Sequence, residues 1–450
     1  MKKNDIIRLR IDSLTSEGAG VGRYEGIVVF VPFAAPGDEA ICQVIKVLKS
    51  YCYAKILNII DSSSERIEPD CQSFTKCGGC EFRHINYQCE LTFKERIVRD
   101  AFKRIGGSDV FCEKILTTGI INGYRNKAQL PVSCGKDAVI AGFYSPRSHR
   151  VVSAENCHLH PQIFNQIVSY ITHYQQSHGL SCYDEQTGVG LLRHIYLRRG
   201  YHSQETAVCL VVTQNTDKYG ELTRNLTEVF PEIKTILLNI NPEKTNVILG
   251  EENVVLFGDG TISDEICGLK VKLSPQSFYQ VNTAAAELLY KKAAEYAALL
   301  GSEVVLDLYC GAGTIGLSLA KYAKRVIGVE IVGKAVENAC ENALANGIKN
   351  AEFYEGDAGD IARRLEESGT RPDVIILDPP RKGCSEKTLD AVINMSPRRI
   401  VMISCNPATA ARDTKYLCER GYTAEKICPV DMFPRTRHVE CIVLMSRIQE

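Results

Sequence analysis

Val304-Val305-Leu306-Asp307-Leu308-Tyr309-Cys310-Gly311-Ala312-Gly313-Thr314-Ile315-Gly316 is the stretch whose reading decides the fold. Apolar β-branched residues give way to three glycines and then to an apolar helical pattern through Leu319 and Ala320, which reads as strand, tight turn and helix. Gly311, Gly313 and Gly316 keep the G-x-G-x-x-G spacing of a nucleotide-type cofactor turn, and Glu330 closes the next apolar run, 325–329. A carboxylate there binds ribose hydroxyls in either a nicotinamide cofactor or S-adenosylmethionine, so the fingerprint alone does not separate the two. Asp307 tips the balance. A carboxylate at a strand end just before the glycines repels a pyrophosphate but suits the ammonium of a methionine moiety, a difference of roughly a few kcal/mol at close range.

Downstream, strands and helical patterns alternate to the end, with apolar strands near 303–309, 325–330, 351–355, 373–378 and 399–404. That is an α/β doubly wound domain, expected over residues 266–450. Ligands of an open parallel sheet sit outside the carboxyl ends of its strands. Asp307, Glu330, Asp357 and Asp378 all fall at such ends, and the fifth strand delivers Ser404-Cys405-Asn406-Pro407. A cysteine projected into a cofactor crevice is a candidate nucleophile. If the last apolar run, 441–445, returns antiparallel, Glu440 lies at the same edge and faces Cys405, a thiol and a carboxylate able to act as nucleophile and base.

Upstream, residues 1–60 read as a small all-β module of five strands with turns at 17–22 and 36–38, the pattern of an oligonucleotide-binding (OB-like) barrel. Eight basic and six acidic side chains lie there, with Lys46, Lys49 and Lys55 near Tyr51 and Tyr53. Interleaved basic and aromatic groups suit RNA, and an ordinary solvated barrel face fits as well. A polar linker precedes a central, mixed and strand-rich region, 61–265. Its first helical pattern, about 87–106, is a candidate to pack on the catalytic domain. Two clusters in this region, 123–127 and 191–199, suit RNA or a solvated sheet face alike.

The central region also carries Cys71, Cys77, Cys80 and Cys157, with Gly78-Gly79 letting the backbone fold around a ligand. Zinc and an iron–sulfur cluster both accept four thiolates. The first gap of five residues excludes the C-x-x-x-C-x-x-C of radical chemistry on S-adenosylmethionine.

Formal net charge of -1, with 45% hydrophobic and 24% charged residues, describes an ordinary globular protein, so any RNA surface is local and compensated elsewhere. The amino terminus lacks the apolar core of a signal peptide, and no apolar run approaches the ~18 residues that cross a bilayer. A cytoplasmic protein without membrane attachment is expected, and in that reducing compartment the 19 cysteines should not be disulfides.

In combination, Ser404-Cys405-Asn406-Pro407, Asp378-Pro379-Pro380-Arg381, His438-Val439-Glu440 and the cysteine set resemble the RNA (uracil-5-)-methyltransferase family, over nearly all of the chain. The resemblance is to its iron–sulfur branch, which modifies 23S rRNA. It implies a TRAM barrel, a class I (Rossmann-like) methyltransferase domain, and a [4Fe-4S] cluster on Cys71, Cys77, Cys80 and Cys157. It also implies S-adenosyl-L-methionine bound by Gln280, Tyr309, Glu330 and Asp378, with Cys405 as nucleophile and Glu440 as general base. No obligate protein partner is implied.

Three other readings compete. The same reaction on the thymine loop of transfer RNA shares the catalytic motifs. A nicotinamide-dependent oxidoreductase accounts for the glycines and Glu330 but leaves Cys405, Asp378 and the barrel without a role. An RNA-binding ribosome-assembly module would keep the methyltransferase fold only as a relic.

Overall fold

Alternation governs the amino-terminal module. In Ile6–Arg10 only Ile7 and Leu9 are buried, and in Glu39–Val47 the buried positions are Ala40, Cys42 and Val44. One face therefore closes on a small apolar core. The computed structural model describes residues 1–135 and 138–448, and its first sheet has six strands rather than five. The order is Ile6–Arg10, Glu39–Val47, Tyr51–Asp61, Ile27–Val31, Gly20–Tyr24 and Ser13–Leu14. The expected turn through Gly22 ends early because Gly22 is a strand residue. A Cβ there would sit 2.3 Å from the Arg10 carbonyl oxygen, so the glycine serves close strand approach.

Seven strands form the central sheet, in the order Val151–Ser153, Val139–Tyr144, Lys127–Cys134, Leu192–Arg199, Thr206–Val212, Ile233–Ile240 and Glu252–Phe257. Leu192–Arg199 corrects both readings of its basic cluster. Arg193 and Arg198 are buried, Arg193 donating to the Asn241 and Glu243 carbonyls at 2.7 and 2.6 Å and Arg198 to those of Ser274 and Ser277 at 2.8 Å each. They cap loop carbonyls inside the protein, where they face neither RNA nor water.

The expectation of free thiols also fails at one place. Cys134 and Cys182, 48 residues apart in sequence, are joined by a disulfide with a Cα–Cα distance of 5.4 Å. A compartment argument says nothing about which segments the fold brings into bonding range.

The catalytic sheet has eight strands, ordered Ala351–Glu355, Arg325–Glu330, Val304–Leu308, Val374–Leu377, Arg399–Ser404, Glu440–Arg447, Tyr422–Val430 and Phe111–Cys112. The first five are parallel, and Glu440–Arg447 runs antiparallel to its neighbours. The edge strand Phe111–Cys112 comes from the region expected to be central. Helix Tyr87–Arg104 likewise puts Val98 and Phe102 into the catalytic core.

The boundary at 265/266 is corrected as well, since the hairpin Ile262–Ile266 and Leu269–Leu273 buries Ile262, Ile266, Val271 and Leu273 against Leu289 and Val305. Burial of its apolar alternation assigns the whole hairpin to the catalytic core. Among the described residues no helix is long and apolar enough to cross a membrane.

Helix Tyr87–Arg104 also holds a buried ion cluster. Lys94, fully buried, donates to Glu90 Oε1 and Asp431 Oδ1 at 2.7 Å each and to the Phe433 carbonyl at 3.1 Å. Removing one partner of a buried ion cluster strands the others. Lys94→Met is expected to lower unfolding free energy by about 3 kcal/mol, leaving Asp431 with the Tyr87 hydroxyl and Glu90 with Arg435. An unchanged urea midpoint would contradict that account.

Candidate active site

The sheet changes direction between Val304–Leu308 and Val374–Leu377, because the chain first winds outward through 325–330 and 351–355 and then returns to the other side. A crevice at such a switch point is the ligand site of open α/β sheets. Here a cavity is lined by Gln280, Tyr309, Gly311 and Asp378, together with Phe278 and Thr314. It encloses about 40 Å³. Small-molecule sites run to roughly 300 Å³ or more. The space around Gln280, Tyr309 and Asp378 is thus smaller than such sites usually are.

The glycine turn owes its shape to contacts below it. Asp307, fully buried, accepts the Gly316 N–H at 2.9 Å, and a Cβ on Gly316 would lie 2.8 Å from that same carboxylate oxygen. Gly313 takes φ +77° as the N-cap of helix Thr314–Leu319. Tyr309 takes φ +68°, a left-handed conformation that costs a non-glycine residue roughly 1–3 kcal/mol and is typical of functional turns.

Asp307 thus braces the loop through Oδ2, while its buried Oδ1 has no hydrogen-bond partner among the described residues. Burial, reinforced by the charges of Asp378 and Glu330, pushes its carboxyl up to about 7.

Glu330 and Asp357 are engaged as backbone clamps. Glu330 accepts from Gly311 N at 3.1 Å and from Val332 N at 2.9 Å, holding the glycine turn to the neighbouring strand. Asp357 caps helix Ala358–Glu367, with Gly359 N and Asp360 N both on Oδ1. Neither lines the cavity that Gln280, Tyr309, Gly311 and Asp378 surround.

One strand further along lies a cleft of about 1010 Å³ lined by Cys405, Arg381 and His438. Antiparallel register pairs Ser404 with Cys441, so Cys405 and Glu440 are the next residues outward and meet at the sheet edge. Burial and then the Glu440 charge raise the Cys405 thiol, while the Arg381 guanidinium, which also hydrogen-bonds it, pulls the opposite way. Burial, with the Asp378 charge added, pushes Glu440 up to about 8. Asp378, itself pushed up to about 7 by burial, stands between the cofactor cavity and this pair.

Arg381 and His438 appear in the sequence motifs, but nothing in the sequence marks them as cleft walls. Burial and the neighbouring Arg381 and Arg437 charges lower His438 to about 4, so its ring is neutral. The cleft's far wall had no sequence signal at all. It is made by residues 13–17 of the barrel, and Glu17 forms an ion pair with Arg437. Arg437 and its loop are tied to the cysteine loop in turn: Glu81 N and Phe82 N donate to the Arg435 carbonyl at 3.0 and 3.1 Å, and Arg437 N donates to Glu81 Oε2 at 3.2 Å.

Cys71, Cys77, Cys80 and Cys157 are all free thiols, and burial first, then the charges of neighbouring cysteines of the set, raises Cys77, Cys80 and Cys157. Gly79 N donates to Cys77 Sγ at 3.3 Å, and Arg83 hydrogen-bonds Cys80, whose thiol burial pushes up to about 12. Among the described residues no three His, Cys, Asp or Glu side chains are drawn in as a metal set. The donor chemistry, four thiols with N–H groups aimed at sulfur, nevertheless fits an iron–sulfur cluster.

A doubly wound sheet with a glycine-turn cavity at its switch point and a thiol beside it defines a class I methyltransferase. Comparison with known proteins agrees. A family model described as tRNA (Uracil-5-)-methyltransferase matches residues 200–448, and a TRAM domain matches residues 2–57. An uncharacterized RNA methyltransferase of Clostridium tetani is 42% identical over 99% of this chain and 97% of its own length. One from Bacillus cereus is 40% identical over 100% and 98%. The crystal structure of Pyrococcus abyssi tRNA (uracil-54, C5)-methyltransferase in complex with S-adenosyl-L-homocysteine superposes with a TM-score of 0.79 at 28% identity, covering 98% of this chain and 100% of that one. The chain belongs to the S-adenosylmethionine-dependent RNA (uracil-5-)-methyltransferase family.

Proposed function

We propose that this enzyme methylates carbon 5 of specific uridines in 23S rRNA, with Cys405 as nucleophile and Glu440 as base. The observation that carries the reading is the meeting of Cys405 and Glu440 at one sheet edge, beside the cavity lined by Gln280, Tyr309 and Asp378.

Carbon 5 of uracil is too weak a nucleophile to take a methyl group directly. The Cys405 thiolate adds to carbon 6, and the uracil π electrons become an enolate that Arg381, beside the sulfur, helps to hold. Carbon 5 takes the methyl as the carbon–sulfur bond of S-adenosylmethionine breaks. Glu440 then accepts the proton from carbon 5, the double bond re-forms and the thiolate leaves. The uridine has to be unpaired or flipped into the cleft.

Glu440 accepts a proton only when ionised. Since burial pushes its carboxyl up to about 8 and raises the Cys405 thiol as well, the single-turnover rate is expected to rise with pH from neutrality and to go on rising past about 8 as the thiolate forms. A profile flat from neutrality upward would remove Glu440 from that step.

Cys71, Cys77, Cys80 and Cys157 would hold the [4Fe-4S] cluster. When bound it supplies a structural tie within the central region, and four cysteine ligands close its iron against substrate. That cysteine set is what favours ribosomal RNA. The similarity to the Pyrococcus abyssi enzyme favours a second reading, the thymine loop of transfer RNA.

A mass-spectrometric map of 5-methyluridine in ribosomal and transfer RNA, from cells with and without the gene, separates the readings. Loss at large-subunit uridines supports the first, loss in transfer RNA alone supports the second, and no change refutes both.

A further inference from the structure

The Cys405 cleft is not the only opening along the seam between the barrel and the rest of the chain. A second cavity of about 610 Å³ lies between Phe33 of the barrel, the Cys77-to-Cys80 loop and the turn at 144–149. Its walls are aromatic and basic. Tyr144 and His149 stand edge-to-face with ring centroids 5.4 Å apart, and Phe33 lies opposite on the barrel. Arg147 lines the cavity and Arg150 follows it. The side chains of both make no ion pair or hydrogen bond among the described residues.

The turn is held in this shape. Ser145 N donates to the Arg150 carbonyl at 2.8 Å, and Ser148 N to that of Ser145 at 3.1 Å. Pro146 rests on Gly78, where a Cβ would already be in contact at 3.4 Å. Arg147 itself takes φ +59°, which keeps two unpaired guanidinium groups within a four-residue turn.

Glu81 joins this cavity to the catalytic cleft. It lines the second cavity, yet its carboxylate receives the Arg437 N–H, and Arg437 lines the cleft with Cys405. The Glu81 carboxylate, which lines this cavity, is therefore turned toward the Arg437 backbone on the other side.

Unpaired cations interleaved with accessible rings are what single-stranded nucleic acid sites use: the rings stack bases and the cations track phosphates. Flipping a target uridine also unstacks its neighbours, which then gain by stacking on protein. We propose that this second cavity is an RNA subsite that stacks the base of a nucleotide flanking the target, while Arg147 and Arg150 hold its phosphate. The subsite rests on the RNA-methylating function argued above.

Filter binding of in vitro-transcribed 23S rRNA to the full-length protein, at several salt concentrations, tests it. The variants are Tyr144→Ala and the exposed double change Arg147→Ala/His149→Ala. Loss of a stacked base and a phosphate contact is expected to weaken binding by about tenfold or more. The log–log salt slope should fall by about one for the arginine removed, and Arg147→Lys should restore it. Variants that bind as tightly as wild type, with the same slope, overturn the subsite and leave the catalytic reading intact. A wild-type protein that retains no RNA overturns both.

Discussion

Cys405→Ala is expected to reduce methyl transfer by on the order of 10⁴-fold or more, because in the proposed reaction the residue makes the covalent bond that turns carbon 5 into a nucleophile. The loss should fall on the chemical step. Cys405 lines the RNA cleft but not the cavity around Gln280, Tyr309 and Asp378. S-adenosylhomocysteine should therefore still raise the thermal unfolding midpoint of the variant as it does that of wild type, while NAD does not. Fold damage is a small concern, since the side chain is only partly buried at a strand end and the following helix Pro407–Cys418 keeps its own cap at Asn406. Single-turnover transfer from labelled S-adenosylmethionine to RNA gives the number. A variant within tenfold of wild type would leave the thiol without a catalytic role.

The catalytic half of the molecule was readable in the sequence because its signals are local. Parallel strands buried on both faces are continuous apolar runs, and Arg325–Glu330, Val374–Leu377 and Arg399–Ser404 fall where those runs stand. The turn at Gly311 to Gly316 is likewise written in consecutive residues. What the sequence hid depends on partners far away in the chain. Glu90 and Lys94 are spaced like a solvated helix pair, and only Asp431, 337 positions distant, makes them a buried cluster. Arg193 and Arg198 read as polar ends of a strand open to solvent or RNA, but loop carbonyls cover them.

The same limit applied to the candidate site. Motifs placed Glu330 and Asp357 at the right strand ends. Whether such a carboxylate meets a ligand or caps a backbone depends on one rotamer and the loop above it, and both here clamp backbone N–H groups. Asp307 was read from its strand-end position and its charge, and no spacing rule told that it would be buried with one oxygen bound to the Gly316 N–H. The barrel's contribution to the cleft, through Glu17 and its ion pair with Arg437, joins residues at opposite ends of the chain, and no spacing rule reaches that far.

Glu440→Gln separates the two halves of the chemistry. The amide cannot accept the proton from carbon 5, so attack by Cys405 and methyl transfer proceed while elimination stalls. Turnover is expected to fall by about 10³-fold, within the range that a general base contributes. Loss of the carboxylate also lightens the negative charge that, after burial, does most to raise the Cys405 thiol, so formation of the thiolate becomes easier rather than harder. The two effects act in one direction: a methylated RNA should accumulate covalently bound to the protein, visible as a band resistant to denaturing gel electrophoresis and lost on RNase digestion. Wild type, whose Glu440 lies across from Cys405 at the sheet edge, should show little of it. An inactive variant with no adduct would mean that Glu440 acts before the carbon–sulfur bond forms, by taking the thiol's own proton. The order of steps, and not only their efficiency, is thus what this single substitution measures.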